Sequence, residues 1–377
     1  MSSSTEHPFV VVTGGGTGGH VYPALAVAEE LVRRGRPAGA VRFLGSARGM
    51  EAEMVPAAGY PIDLLPGRGF LRRVSWAALR QNARTALETV SALVRAIRIL
   101  RRSRPAVVLG VGGYAAAPGV VAARILRIPV VVHEQNAAPG VVNRLAVALG
   151  AQAAVSIPGT RLRGAVCTGN PVRAAIATLG LGGSDGPAGS AGADGGFRVG
   201  VFGGSLGAGR INDAVLDLAA RWAGRHDVAI RHVTGRRDYQ RCMERAPQPP
   251  VGSLVYERTA YEDDMPGLYR WADVVITRAG AVTVAELAVA GEPALLVPLP
   301  GAPSDHQTAN ARALADAGAA VLVPDAECTA ERLARELDAL GADPVRRSAM
   351  GAAARRLARP DAAARVADLV EEAARVH

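Results

Sequence analysis

Short runs of valine, leucine and isoleucine recur along the whole chain, each ending at a turn before an amphipathic stretch begins. "FVVVTGG", "AVRFLGS", "AVVLGVGG" and "PVVVHEQN" supply them early; "FRVGVFGGS", "DVAIRHVTG", "SLVYERT", "ADVVITRAG", "PALLVPLP" and "AAVLVP" follow later. Apolar runs of strand length, each followed by helical periodicity, predict parallel sheets covered by helices on both faces. The rhythm lapses at "LGLGGSDGPAGSAGADGG" (residues 179–196), whose Gly, Ala, Ser, Pro and Asp composition is that of a flexible linker. The pattern therefore predicts an α/β protein of two doubly wound, Rossmann-like domains. The first spans 1–171, a hinge and Gly-rich linker 172–196, and the second 197–348. A helical segment at 349–377, broken at Pro360, is expected to pack back on the first domain.

Composition narrows this. A chain of 377 residues suits two cores, and with 49% hydrophobic but only 4% aromatic residues these are built mainly from Ala, Val and Leu. No uncharged apolar run reaches the ~18 residues of a spanning helix. The start "MSSSTEHPFV" lacks the pattern of a secretory signal, so a cytoplasmic location is expected. Cys167, Cys242 and Cys328 are scattered and unpaired in spacing, which fits neither a disulfide framework nor a zinc site.

The net charge of +9 favours acidic partners, and its placement favours one of them. Arginine concentrates between Arg68 and Arg104. There Leu79, Ala83, Leu87, Val90, Val94, Ile97 and Leu100 recur at helical spacing, a face expected to be core. Just ahead, "GRGFLRRVSW" sets Phe70, Leu71 and Trp76 among Arg68, Arg72 and Arg73. Apolar side chains ringed by arginine suit an anionic bilayer surface, where each charge adds about 1 kcal/mol. Nucleic acid would call for stacking aromatics or a reading helix, and the pattern offers neither.

Three glycine turns each join a strand to a helix: "TGGGTGGH" (13–20), "GVGGY" (110–114) and "GGSLGAG" (203–209). Glycine admits positive φ and lets an anion approach backbone N–H groups, and a helix N-terminus adds further donors. Gly14, Gly16 and Gly19 match the dinucleotide fingerprint, but the next strand ends at Gly45 and Ser46 with no carboxylate for a ribose. No G-K-[ST] of a P-loop occurs either.

In the second half, "ITRAGAVTVAELAVAGEPALLVPLPGAPSDHQTANA" places Glu286 one turn into a helix. There it is either a ribose-binding carboxylate or an exposed group stabilising the helix dipole. Asp305, Gln307 and Asn310 offer hydrogen bonds suited to sugar hydroxyls. "HEQNAAPG" follows the strand "PVVV", and Asn136 within it lines a site or caps the next helix.

Taken in order, "GGGTGGHVYPALAVAEEL", "GVGGYAAAPGVVAA", "HEQNAAPGVVNR", "GNPVR", "GGSLGAGRIN" and "RAGAVTVAELAVAGEPALLVPLP…DHQTANA" resemble the MurG family across nearly the whole chain. The resemblance implies a GT-B fold, two Rossmann-like domains facing across a cleft. It implies inverting transfer of GlcNAc from UDP-GlcNAc to the C4 hydroxyl of MurNAc-pentapeptide on diphosphoryl-undecaprenol, giving lipid II at the cytoplasmic face of the plasma membrane. No metal or other cofactor is expected, because helix ends and backbone donors take the diphosphate charge. Ser205 and the turn Ala281, Val282 and Thr283 would take the diphosphate or uridine. Arg173 would approach the nucleotide, Glu286 the ribose, Gln307 the GlcNAc hydroxyls, and Asn136 the donor sugar. Thr17, Gly18 and Gly19, with Gly112, Gly113 and Tyr114, would receive the acceptor's diphosphate. His20 then becomes the general base, with Glu134 orienting it or competing for that role; read without the resemblance, His20 is a histidine bridging a crowded turn.

Two segments depart from the family pattern. Leu206 and Gly209 stand where Gln and Arg are usual, with Arg210 beside them, and Glu262 stands where an apolar residue near the uracil is expected. These departures keep two alternatives in view, a related transferase with another acceptor or donor sugar, and a non-catalytic binding protein for sugar nucleotides or lipid diphosphates.

Overall fold

The computed structural model describes residues 7–66, 76–180, 196–204 and 208–376, and for 76–87 the backbone alone. The chain divides into two compact units. One is Met1–Arg173 with Asp361–His377, the other Ala174–Pro360. Residues 181–195, most of the expected linker, lie outside the described residues.

The first unit alternates strand and helix: β1 (Val10–Thr13), α1 (Gly18–Arg33), β2 (Val41–Ser46), α2 (Glu51–Ala57), β3 (Ile62–Leu65) and α3 (Trp76–Ser103). It continues with β4 (Val107–Gly110), α4 (Ala116–Ile125), β5 (Val130–Glu134), α5 (Val141–Ala148), β6 (Gln152–Val155) and β7 (Val166–Cys167). All pair in parallel in the order β3-β2-β1-β4-β5-β6-β7. Each of Val10, Val11 and Val12 is at most 1% exposed, because one side chain meets the α1 side of the sheet and the next the α4 side. The strand order reverses between β1 and β4, so the first two glycine turns leave the sheet side by side.

The second unit holds α6 (Ala174–Ala177), β8 (Phe197–Phe202), α7 (Gly209–Arg221), β9 (Val228–Val233), α8 (Tyr239–Arg245), β10 (Val255–Thr259) and α9 (Met265–Trp271). After these come β11 (Val274–Thr277), α10 (Ala281–Ala290), β12 (Ala294–Leu296), α11 (His306–Ala315), β13 (Ala320–Leu322), α12 (Ala330–Gly341) and α13 (Pro344–Leu357). Its parallel sheet runs β10-β9-β8-β11-β12-β13 and reverses between β8 and β11.

The C-terminal stretch does not act as one segment. α13 packs on α10 in the second unit, whereas the last helix, α14 (Ala362–Arg375), packs on α1 in the first. Val366, Ala367, Val370 and Ala373 enter the same core as Val10, Val21 and Leu31. At its surface Arg34 pairs with Asp368 at 2.6 Å and Glu371 at 3.0 Å.

The stripe expected for α3 is corrected in part. Leu100 is buried with Ala92 and Ala96, but Val90 is 61% and Val94 40% exposed. Small alanines face α4 at this close crossing, and the bulkier valines turn outward. Leu79, Ala83 and Leu87 have no described side chains.

Candidate active site

At the first unit's switch point the two glycine turns pack against each other. Gly14 and Gly15 adopt φ of 144° and Gly16 of 92°, and a Cβ on Gly14 would lie 2.5 Å from Val111 Cγ2 and 2.8 Å from the Gly112 carbonyl. Thr17 precedes α1 in extended conformation and accepts from the N–H of His20 at 3.0 Å. Gly18 and Gly19 open the helix, so their N–H groups lie outside its internal ladder. Tyr114 lies against Gly16, its hydroxyl 3.5 Å from Ser46 Oγ.

A carboxylate occupies this turn. Glu51, at the start of α2 and 1% exposed, accepts from Gly16 N at 2.7 Å and from Ser46 N at 2.8 Å. A Cβ on Gly15, Gly45 or Gly49 would overlap its side chain. The acid missing from the tip of β2 in the sequence thus arrives from the next helix. It accepts the N–H that residues 14–16 would otherwise offer an anion, and Gly18 and Gly19 open α1 beyond its reach.

His20 follows within the first turn of α1. Its ring lies along the second glycine turn: a Cβ on Gly112 would sit 3.3 Å from Cε1, and one on Gly113 would sit 3.1 Å from Cδ2. Gly112 and Gly113 have φ of 83° and 76°, so they make the seat for the imidazole. Nδ1 of His20 lies 3.2 Å from Oε1 of Gln135.

Glu134 is not the group that orients His20. One of its oxygens accepts from Asn136 N at 3.0 Å and Asn136 Nδ2 at 3.3 Å. The other accepts from Gly140 N at 2.9 Å and Asn143 Nδ2 at 2.8 Å. At 2% exposure, with four donors on it, this carboxylate shapes the loop after β5. Gly140, not Asn136, stands at the N-cap of α5. His133 is fully withdrawn from solvent, which pushes its pKa down to about 4 against the partial support of the Gly169 carbonyl. Arg173 ends the unit with its guanidinium 5.0 Å over the ring of Tyr22.

In the second unit, Gly280 caps α10 in extended conformation and Ala281, Val282 and Thr283 form the helix's first turn. Glu286, one turn further, is only 4% exposed and accepts from the hydroxyl of Tyr269 at 3.1 Å. It is no surface group compensating a dipole. Arg278 crosses beneath the turn, donating to the carbonyls of Val297 and Pro298 at 3.1 Å and to Asp325 at 2.6 Å. Asn310 is fully buried and donates to the Ala279 carbonyl at 3.2 Å, so it braces the turn and does not face a sugar. Gln307 stays near the surface, its Oε1 accepting from Leu299 N at 2.9 Å.

Glu262 folds onto its own chain and accepts from Asp264 N at 2.8 Å, just ahead of the cap of α9. Gly209 is the first residue of α7, and Arg210 beside it lies 3.8 Å from Asp325. Ser205 and Leu206 lie outside the described residues, as do Phe70, Leu71, Arg72, Arg73 and the side chain of Trp76. Among the described residues there is no His, Cys, Asp and Glu cluster able to hold a metal, and no helix long and apolar enough to cross a membrane.

Comparison with known proteins agrees with this layout. Residues 10–155 match the glycosyltransferase family 28 N-terminal domain and residues 198–366 its C-terminal domain. A calicheamicin glycosyltransferase, 18% identical, shares the fold with a TM-score of 0.66 over 97% of each chain. Two Rossmann-like units that match both domains of this glycosyltransferase family are thus those of a GT-B glycosyltransferase. The UDP-N-acetylglucosamine–N-acetylmuramyl-(pentapeptide) pyrophosphoryl-undecaprenol N-acetylglucosamine transferase of Alkalilimnicola ehrlichii is 46% identical over 368 residues, 97% of this chain and 99% of its own. The transferase of the same name from Methylococcus capsulatus is 45% identical over 97% of this chain and 98% of its own. A crystal structure of MurG from Acinetobacter baumannii, 31% identical, superposes with a TM-score of 0.75 over 97% of this chain and 99% of that one. The chain belongs to the MurG family.

Proposed function

We propose that this protein moves GlcNAc from UDP-GlcNAc to the C4 hydroxyl of a polyprenyl-diphosphate-linked MurNAc-pentapeptide, with inversion at the anomeric carbon. The observation that carries the reading is near-full-length identity to transferases so named, at 46% and 45%. In the displacement, the hydroxyl oxygen bonds to the anomeric carbon, the bond to the diphosphate breaks, and UDP leaves with its electron pair. His20 takes the hydroxyl proton. Thr17, Gly18 and Gly19 bind the acceptor diphosphate. Glu286 accepts from the ribose hydroxyls, the first turn of α10 meets the donor diphosphate, and Gln307 meets the sugar. Helix N-termini supply the electrostatic stabilisation, with no metal ion required.

The same reading places the enzyme on the inner leaflet as a peripheral protein. Exposed Ile125, Val141, Leu145 and Leu149 support it, on the neighbouring helices α4 and α5 and just beyond their ends, with exposed Arg127 and Arg144.

Labelled UDP-GlcNAc with a short-chain lipid I analogue is the test, and a labelled disaccharide-lipid is the expected product. Turnover with other acceptors and none with this one would overturn the reading. Donor binding by calorimetry without transfer to any acceptor would turn it into a binding protein.

A further inference from the structure

Gln135 is 1% exposed and lies between two histidines, and its amide has one permitted orientation. One end lies 2.9 Å from the Val111 carbonyl, which only accepts, so that end is the NH2 group. The same NH2 donates to Nδ1 of His133 at 3.1 Å. Oε1 is therefore the end that meets Nδ1 of His20 at 3.2 Å, and a carbonyl oxygen only accepts. Nδ1 of His20 must carry the proton.

The opposite end of the network closes consistently. Nδ1 of His133 accepts, so that ring's proton is on Nε2, which donates to the Gly169 carbonyl at 3.0 Å. Burial keeps His133 neutral well below physiological pH, so it remains the acceptor that Gln135 requires.

We propose that Gln135 is a positioning residue that locks His20 in the Nδ1–H tautomer and thereby puts the ring's basic lone pair on Nε2. The inference rests on the reading of His20 as the base. An amide suits this task because it is neutral. It fixes the ring without the bias toward imidazolium that a carboxylate partner imposes, and the Val111 carbonyl prevents it from flipping. Gly112 and Gly113, without side chains, leave the room the ring occupies, and Gln135 meets its Nδ1.

Long-range 1H–15N spectra of the full-length protein labelled at histidine nitrogens, assigned with His20→Gln, read the tautomer directly. The expected result is a protonated Nδ1 on His20, and a dominant Nε2–H form overturns the proposal. Gln135→Met keeps the bulk and removes the hydrogen bonds. Its His20 signals should leave the pure Nδ1–H form, and kcat should fall about tenfold or more while both KM values stay within about twofold. An unchanged tautomer or an unchanged kcat in that variant would also overturn it. If Gln135→Met does not fold, the wild-type spectrum alone decides. The spectrum needs no turnover, so failure of the transfer reaction and failure of the tautomer lock are separate results.

Discussion

Glu51 accepts two backbone N–H groups from a position closed to solvent. Glu51→Ala would strand Ser46 N in the interior and Gly16 N at its edge, at an expected cost of about 1–3 kcal/mol. Urea denaturation measures it, and a loss below about 1 kcal/mol would mean that another group takes over as acceptor. His20→Ala should leave the KM for UDP-GlcNAc in place and lower kcat by about a hundredfold or more. Full activity in that variant removes His20 from the mechanism. His20 and Glu286 were legible as candidates because each stands at a local landmark, a glycine turn or the first turns of a helix after a strand. Their partners were not. Gln135 lies 115 residues from His20, Glu51 lies 35 from Gly16, and Tyr269 lies 17 from Glu286. Only the folded sheet brings them together, and Glu134, nearest in sequence to that role, is drawn off by its own loop.

Two strands carry buried histidines, His133 on β5 and His232 on β9. Desolvation is the main cause in both, lowering His133 to about 4 and His232 to about 3 from an ordinary 6.5. The folded values are depressed, so the unfolded chain takes up these protons first. Their contribution to stability is full above about pH 6.5 and is lost as pH falls toward 4 and 3. Thermal melting should therefore show Tm dropping below pH 6.5, with a shallower drop in His232→Gln; a flat profile would contradict the burial. Glu292, between α10 and β12, runs the other way. Burial first and Asp273 second raise its pKa, so its ionisation costs stability as pH rises. Glu292→Gln should raise Tm at alkaline pH, and no change there would mean that Arg198 and Arg355 already compensate the charge. The strands were legible as elements because parallel strands are apolar on both faces and read as unbroken runs. Helix faces were less so. On α3, close packing favours alanine inward and displaces Val90 and Val94 outward, which periodicity alone does not distinguish.

For the molecule as a whole, both sheets and the division near Pro171 were expected from the alternating pattern, and the structure parts the units after Arg173. The division of the C-terminal stretch between the units was not, because two helices separated by one proline carry no mark of which core each will join. Transfer should persist in EDTA, and loss of activity restored by Mg2+ would reverse the metal-free reading of the diphosphate site. α14 places Val366 and Val370 in the first unit's core, worth about 1.5–3 kcal/mol each. Truncation after Pro360 should therefore abolish cooperative unfolding of that unit alone, and two intact transitions would contradict this. The same helix sets an order of events on the ribosome. Domains normally fold as they emerge, N-terminal first. Here the unit whose strands are translated first waits for the last helix to emerge, while the unit translated in between is complete before it. The glycine turns around His20 thus gain their full support only once α14 has emerged, so a nascent chain that stops short of it should carry a folded second unit beside an unfinished first one.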